Sequence, residues 1–116
     1  MKGQLRFEAL VDRKGFTVAP NVVLTSPYLS CQERVLYLLL RHYARQDGQC
    51  FPGLQRLAEQ MRTARTSLSP MLKHLQEVGL IAIHRRGQGE TNTYSLPPIT
   101  DAVAERLLST ADDNRG

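Results

Sequence analysis

One hundred and sixteen residues make one domain of ordinary size. A hydrophobic share of 41% can fill a core, and with only 6% aromatics and no Trp that core must be aliphatic. No apolar run reaches the ~18 residues of a membrane span, and the start Met1-Lys2-Gly3-Gln4 lacks a signal-peptide pattern. Membrane proteins and secreted disulfide scaffolds are therefore excluded. The length argues against an enzyme with a large closed active site, and a non-enzymatic cytoplasmic protein is expected. Cys31 and Cys50 form no CxxC pair, and His42, His74 and His84 show no ligand spacing. No metal and no cofactor is expected, and the cysteines read as free thiols. The net charge of +4 is concentrated in one window. Residues 60–89 carry Arg62, Arg65, Lys73, Arg85 and Arg86 against Glu77 alone, and residues 96–116 are net acidic. Such a local excess favours a polyanionic partner.

In chain order, residues 1–29 read as a partly ordered N-terminal arm. Pro20 and Pro27 punctuate it, with a single helical turn near 21–24. Ser30 followed by Glu33 has capping-box spacing. Behind it, Val35, Leu36, Leu39, Leu40 and Tyr43 form one helical stripe, which predicts a helix over about 31–45. Asp47-Gly48 turns the chain, and a small strand fits at 49–51. Leu54, Leu57, Ala58 and Met61 predict a short helix over 54–62, with a break at Arg62-Thr63-Ala64. A third helix carries Leu68, Met71, Leu72, Leu75 and Val78 and stops at Gly79. Pro70 conflicts with it in one of two ways. Either the helix starts near Ala64 and Pro70 kinks it, or Ser69 caps a helix that begins at Pro70. The apolar position of Leu68 favours the first.

After Gly79 the period becomes alternating. Ile81 and Ile83 face one way, and Ala82, His84 and Arg86 the other. With the turn Gly87-Gln88-Gly89 and the return Thr91–Ser95, this predicts a β-hairpin of 80–86 and 91–96. Pro97-Pro98 ends it. Residues 97–116 read as a short helix, capped by Thr100 and running to Leu108, then a frayed tail.

The order helix, short strand, helix, tight turn, helix, hairpin predicts a mainly α fold with a small β-hairpin wing, a winged helix-turn-helix over 30–96. The stretch PGLQRLAEQMRTARTSLSPMLKHLQEVGLIAIHRRGQGETNTYSL (52–96) resembles a bacterial winged helix-turn-helix. With the upstream VAPNVVLTSPYLSCQERVLYLLLRHYARQDGQCFPG it is similar to the winged-helix domains of plasmid and phage replication initiators, including DnaD-like proteins. That resemblance implies sequence-specific binding of double-stranded DNA in replication initiation, with other replication proteins as further partners. The chain departs from the family's usual residues at Gly53, Ala64 and Pro70.

The residues point the same way without the family. If the third helix buries Leu68, Met71, Leu72, Leu75 and Val78, the series 65, 69, 73, 77 lies on its outer face. Arg65, Thr66, Ser67 and Ser69 are then candidates for base edges, because arginine forks to guanine and hydroxyls bond any base. Lys73, two turns on, suits phosphate. On the wing, Arg85, Arg86 and Gln88 flank a glycine turn that can approach a DNA backbone. Gln55 and Arg62 are weaker phosphate candidates. His74 and His84 read as structural or near-phosphate residues.

A small transcriptional repressor uses the same module, and a winged-helix protein–protein adaptor is the reading from another class. The basic window and the arginine wing argue against the adaptor. One such module reads too few base pairs to address a genome. A homodimer is therefore expected, formed through apolar residues outside the three-helix core: Phe16, Val18, Val22 and Val23 before it, and Val103, Leu107 and Leu108 after it; the alternative is that both segments fold back and cap their own core.

Overall fold

A computed structural model describes residues 15–44, 49–50, 52–85 and 92–115, the side chains of 49–50 and 109–115 excepted. Helix α1 (Asn21–Thr25) leads into α2 (Cys31–Ala44), and strand β1 (Gln49–Cys50) precedes α3 (Leu54–Met61). A 3-10 turn (Arg65–Ser67) runs directly into α4 (Leu68–Glu77). Strands β2 (Ala82–His84) and β3 (Thr93–Ser95) are followed by α5 (Asp101–Arg115).

Local signals account for the element ends. The capping box at α2 is formed: the Ser30 N–H donates to Glu33 Oε1 at 2.9 Å, and the Glu33 N–H to Ser30 Oγ at 3.1 Å. Helix α4 stops at Gly79, whose φ of +94° is open to glycine without steric cost. The Leu80 N–H reaches Leu75 O and the Gly79 N–H reaches Gln76 O, the two bonds of a Schellman stop. Thr100 caps α5, its Oγ1 accepting from the Val103 N–H at 3.3 Å.

Strands β2 and β3 form the expected antiparallel hairpin, with Ile83 opposite Tyr94. Strand β1 adds on the other edge of β3, Cys50 opposite Tyr94, giving the order β1-β3-β2. The core gathers one face of every helix: Leu36, Tyr37 and Leu40 from α2, Leu57 from α3, Leu68 and Leu75 from α4. Leu80 and Tyr94 close it from the sheet side.

Three expectations need correction. The chain turns helical after Ala64, but through a 3-10 turn, so the α-helix itself starts at Leu68 and Pro70 is its third residue rather than its first. In the first turn its missing N–H costs little, because those positions have no intrahelical partner in an α-helix that starts there. The last helix runs to Arg115 rather than Leu108; no proline or glycine interrupts 101–115. Finally, not all terminal apolar residues are spare. Val23 and Leu107 are fully buried in the protein's own core, and Val22 and Val103 pack against it. Buried Ser26 ties the two termini together, its hydroxyl donating to Leu107 O at 2.7 Å while accepting the Tyr28 N–H at 3.2 Å. Phe16 and Val18 do remain exposed, at 81% and 73%.

Candidate nucleic-acid interface

Helix α4 and the β2–β3 hairpin meet side by side because Leu72 and Leu75 of α4 share the core with Leu80, just before β2, and Tyr94 of β3. Between them lies an open groove of about 510 Å³. Ser69 and Lys73 line one wall from α4, and Arg85, at the end of β2, lines the other. Three residues chosen from two separate sequence patterns thus converge on one concave surface. Gln76 and Asn92 also line it. Neither was singled out from the sequence. Gln76 could have been, since it lies seven residues after Ser69 and three after Lys73 on a helix. Asn92 carried no such signal.

Arg65 and Thr66 are exposed, but they sit on the 3-10 turn at the entry to α4 rather than on an α-helical stripe with Ser69. A 3-10 turn has three residues per turn, so the four-residue stacking holds only from Ser69 to Lys73 to Glu77. Ser67 is half-buried and stands at the N-cap of α4 without making a side-chain cap bond. Ala64, extended at φ −72° and ψ 144°, begins the 3-10 turn, likewise without a side-chain cap. With no acidic residue in the first turn of either element, this helix entry is electrostatically open to an anion.

Arg62 occupies the turn between α3 and the 3-10 element in the left-handed conformation, φ 56° and ψ 47°. Its N–H bonds Glu59 O, and the Thr63 N–H bonds Ala58 O. The side chain is exposed. Gln55 is exposed too, but its amide donates to Glu59 Oε2 at 3.2 Å within α3. Arg86 and Gln88 lie outside the described residues.

Two polar clusters escaped the sequence reading. Glu33 Oε2 lies 2.8 Å from His74 Nδ1, so the carboxylate that caps α2 also holds α4. His74 thereby takes its structural reading. On the far side of α3, Arg56 Nε donates to Tyr43 Oη at 2.9 Å, and the Tyr43 hydroxyl donates to Gln60. The hydrogen bond to Tyr43 raises the Arg56 pKa above the ordinary arginine value, so it stays cationic. Side chains from α2 and α3 build this cluster 13 and 17 residues apart in sequence, a spacing that no local pattern reveals.

Among the described residues no three His, Cys, Asp or Glu side chains could hold a metal ion together. No helix among them is long and apolar enough to cross a membrane.

Residues 25–115 match the family model of the DnaD N-terminal domain. No curated protein matches the chain. Among solved structures, the chain is similar to one described as "Structure of Rep-DNA complex", with TM-score 0.58 and 23% identity over 90% of this chain and 89% of that one. It is similar to a "Structure of MDR initiator" at TM-score 0.56 and 19% identity, over 90% and 92%. A zinc-responsive MarR family member, ZitR of Lactococcus lactis, aligns at TM-score 0.50 and 18% identity, over 97% and 81%. At these identities the likeness is one of fold, a winged helix.

Proposed function

The chain belongs to the DnaD N-terminal domain family, and from that premise we propose that it binds double-stranded DNA sequence-specifically in plasmid or phage replication initiation. The observation that carries this reading is the groove between α4 and the hairpin, where Ser69, Lys73 and Arg85 converge. Helix α4 enters the major groove from its 3-10 end. Arg65, Thr66 and Ser69 meet base edges there, and Lys73 meets phosphate. Arg85, with Arg86 beyond it, reaches the neighbouring backbone from the wing. Arg62, at the exposed turn, adds a phosphate contact. The protein acts as a binding module rather than an enzyme and works in the cytoplasm.

We further read the active form as a homodimer on two half-sites about one helical turn apart (~10 bp) or a multiple of it. The exposed Phe16 and Val18 support an interface at the termini, whereas Val23 and Leu107 serve the monomer's own core. Other replication proteins are partners of the assembled form.

Selection from a random duplex pool tests the function. An enriched iterated site supports an origin-binding role. A lone palindrome points instead to a repressor, and no enrichment refutes sequence-specific binding. Salt titration tests the electrostatics: four or five phosphate contacts give a slope of about −4 in log K against log salt per protomer. Affinity unchanged between ~50 and ~200 mM salt refutes that picture.

A further inference from the structure

Pro70 is the odd residue on the face that α4 turns to the groove. It is exposed, it is the third residue of the helix, and it lines the groove beside Ser69 and Lys73. Every other exposed side chain of the 3-10 turn and α4 carries a hydrogen-bonding group; Pro70 alone does not. It has no backbone N–H either. The free amides in the first turn of a helix are the donors that hold a phosphate there, and at position 70 that donor is missing. At this point the helix offers an incoming duplex neither a donor nor a charge, only the carbons of a ring.

The core fixes where that ring points. Leu68, fully buried, and Met71, 8% exposed, bracket Ser69 and Pro70 and turn both outward. Other apolar residues line the groove, but Leu72 is buried and Leu54 and Ile83 are half-buried. Pro70 is thus the apolar group that a base edge meets first. Its side chain has no rotamer freedom to lose, so a contact costs no side-chain entropy.

The major-groove edges of the base pairs carry one apolar group, the 5-methyl of thymine. We infer that Pro70 is a specificity-determining residue whose ring packs on that methyl, while the neighbouring Ser69 hydroxyl bonds a polar atom of the same A·T pair. The inference rests on the DNA reading above, in which α4 enters the major groove from its 3-10 end. It adds a base identity to that reading: the preferred site carries a thymine opposite the first turn of α4. Thr66 also owns a methyl group, but it stands on the 3-10 turn with a hydroxyl beside that methyl, and it serves as the control.

The test uses the site selected from random duplexes, with each thymine replaced in turn by deoxyuridine. That change removes the methyl and leaves the O4 acceptor and the pairing with adenine in place. Fluorescence anisotropy should find one thymine per protomer at which deoxyuridine weakens binding of the parent protein by ~4-fold, the worth of one methyl-sized group removed from water. Pro70→Ser should bind the thymine and deoxyuridine duplexes equally at that position, with circular dichroism melting to check its fold. Pro70→Ala, a second variant that keeps one carbon of the ring, should fall between the two. Thr66→Ser, which removes only the threonine methyl, should keep the full preference. A selected site with no methyl-sensitive thymine overturns the inference and leaves DNA binding standing. So does a preference that survives both Pro70 replacements, or one that disappears in Thr66→Ser. No enriched duplex at all overturns the DNA reading and this inference with it.

Discussion

Replacing Arg62 by glycine should make the protein more stable and a weaker DNA binder. Arg62 sits at φ 56° and ψ 47°, close to the ideal left-handed helical conformation. There its Cβ crowds the following carbonyl, at a cost of about 1–2 kcal/mol. Glycine removes that cost but gives back about 0.4–1 kcal/mol through its freer unfolded chain. The bonds that stop α3, from the Arg62 and Thr63 amides to Glu59 O and Ala58 O, are backbone bonds and survive the change. The net is a gain of roughly 0.5–1 kcal/mol, with melting temperature rising by ~4–8 °C per kcal/mol for a domain of about this size. If the side chain neutralises one phosphate, the salt slope of DNA binding should become shallower by about 0.9. Thermal melting by circular dichroism and fluorescence anisotropy across a salt series read the two effects separately. A glycine variant that melts at or below the parent would refute the strain argument. An unchanged salt slope would remove Arg62 from the interface while leaving the strain argument standing.

At the other left-handed stop the sign reverses. Gly79→Ala should destabilise by at least ~1–2 kcal/mol. The backbone is at φ +94°, and a new Cβ would lie 3.1 Å from Val103 Cγ2, as denaturant unfolding should register. Ser26→Ala removes the buried hydroxyl between α5 and the chain entering α2 and should cost about 1–3 kcal/mol; a loss below a few tenths in urea unfolding would show that water replaces it. Arg65→Ala should relax sequence preference and cost ~1–3 kcal/mol on a selected site. Arg85→Ala should weaken selected and random duplexes alike, so equal behaviour of these two variants in competition binding would overturn the division of labour between helix and wing.

Much of this protein is written in short-range signals. Ser30 and Glu33 bond each other across one turn, Gly79 stops its helix, and the alternation from Ile81 to His84 marks the chain that enters and forms β2. Each depends on neighbours a few residues apart, so the period and the cap could be read directly from the sequence. The basic window from Arg62 to Arg86 was equally legible as charge. The partners were not. That β1 pairs with β3, that Glu33 reaches His74 and that Ser26 binds Leu107 depends on segments 41 to 81 residues apart in those two side-chain contacts, brought together by burial of a common core. The same burial decides which apolar residues are spare. Val18 and Val23 look alike in sequence, yet one is 73% exposed and the other fully enclosed. Even the start of α4 was settled tertiarily. Burial of Leu68 anchors the helix there, and the residues before it complete the entry as a 3-10 turn. Pro70 then falls in the first turn, where its missing N–H does least harm.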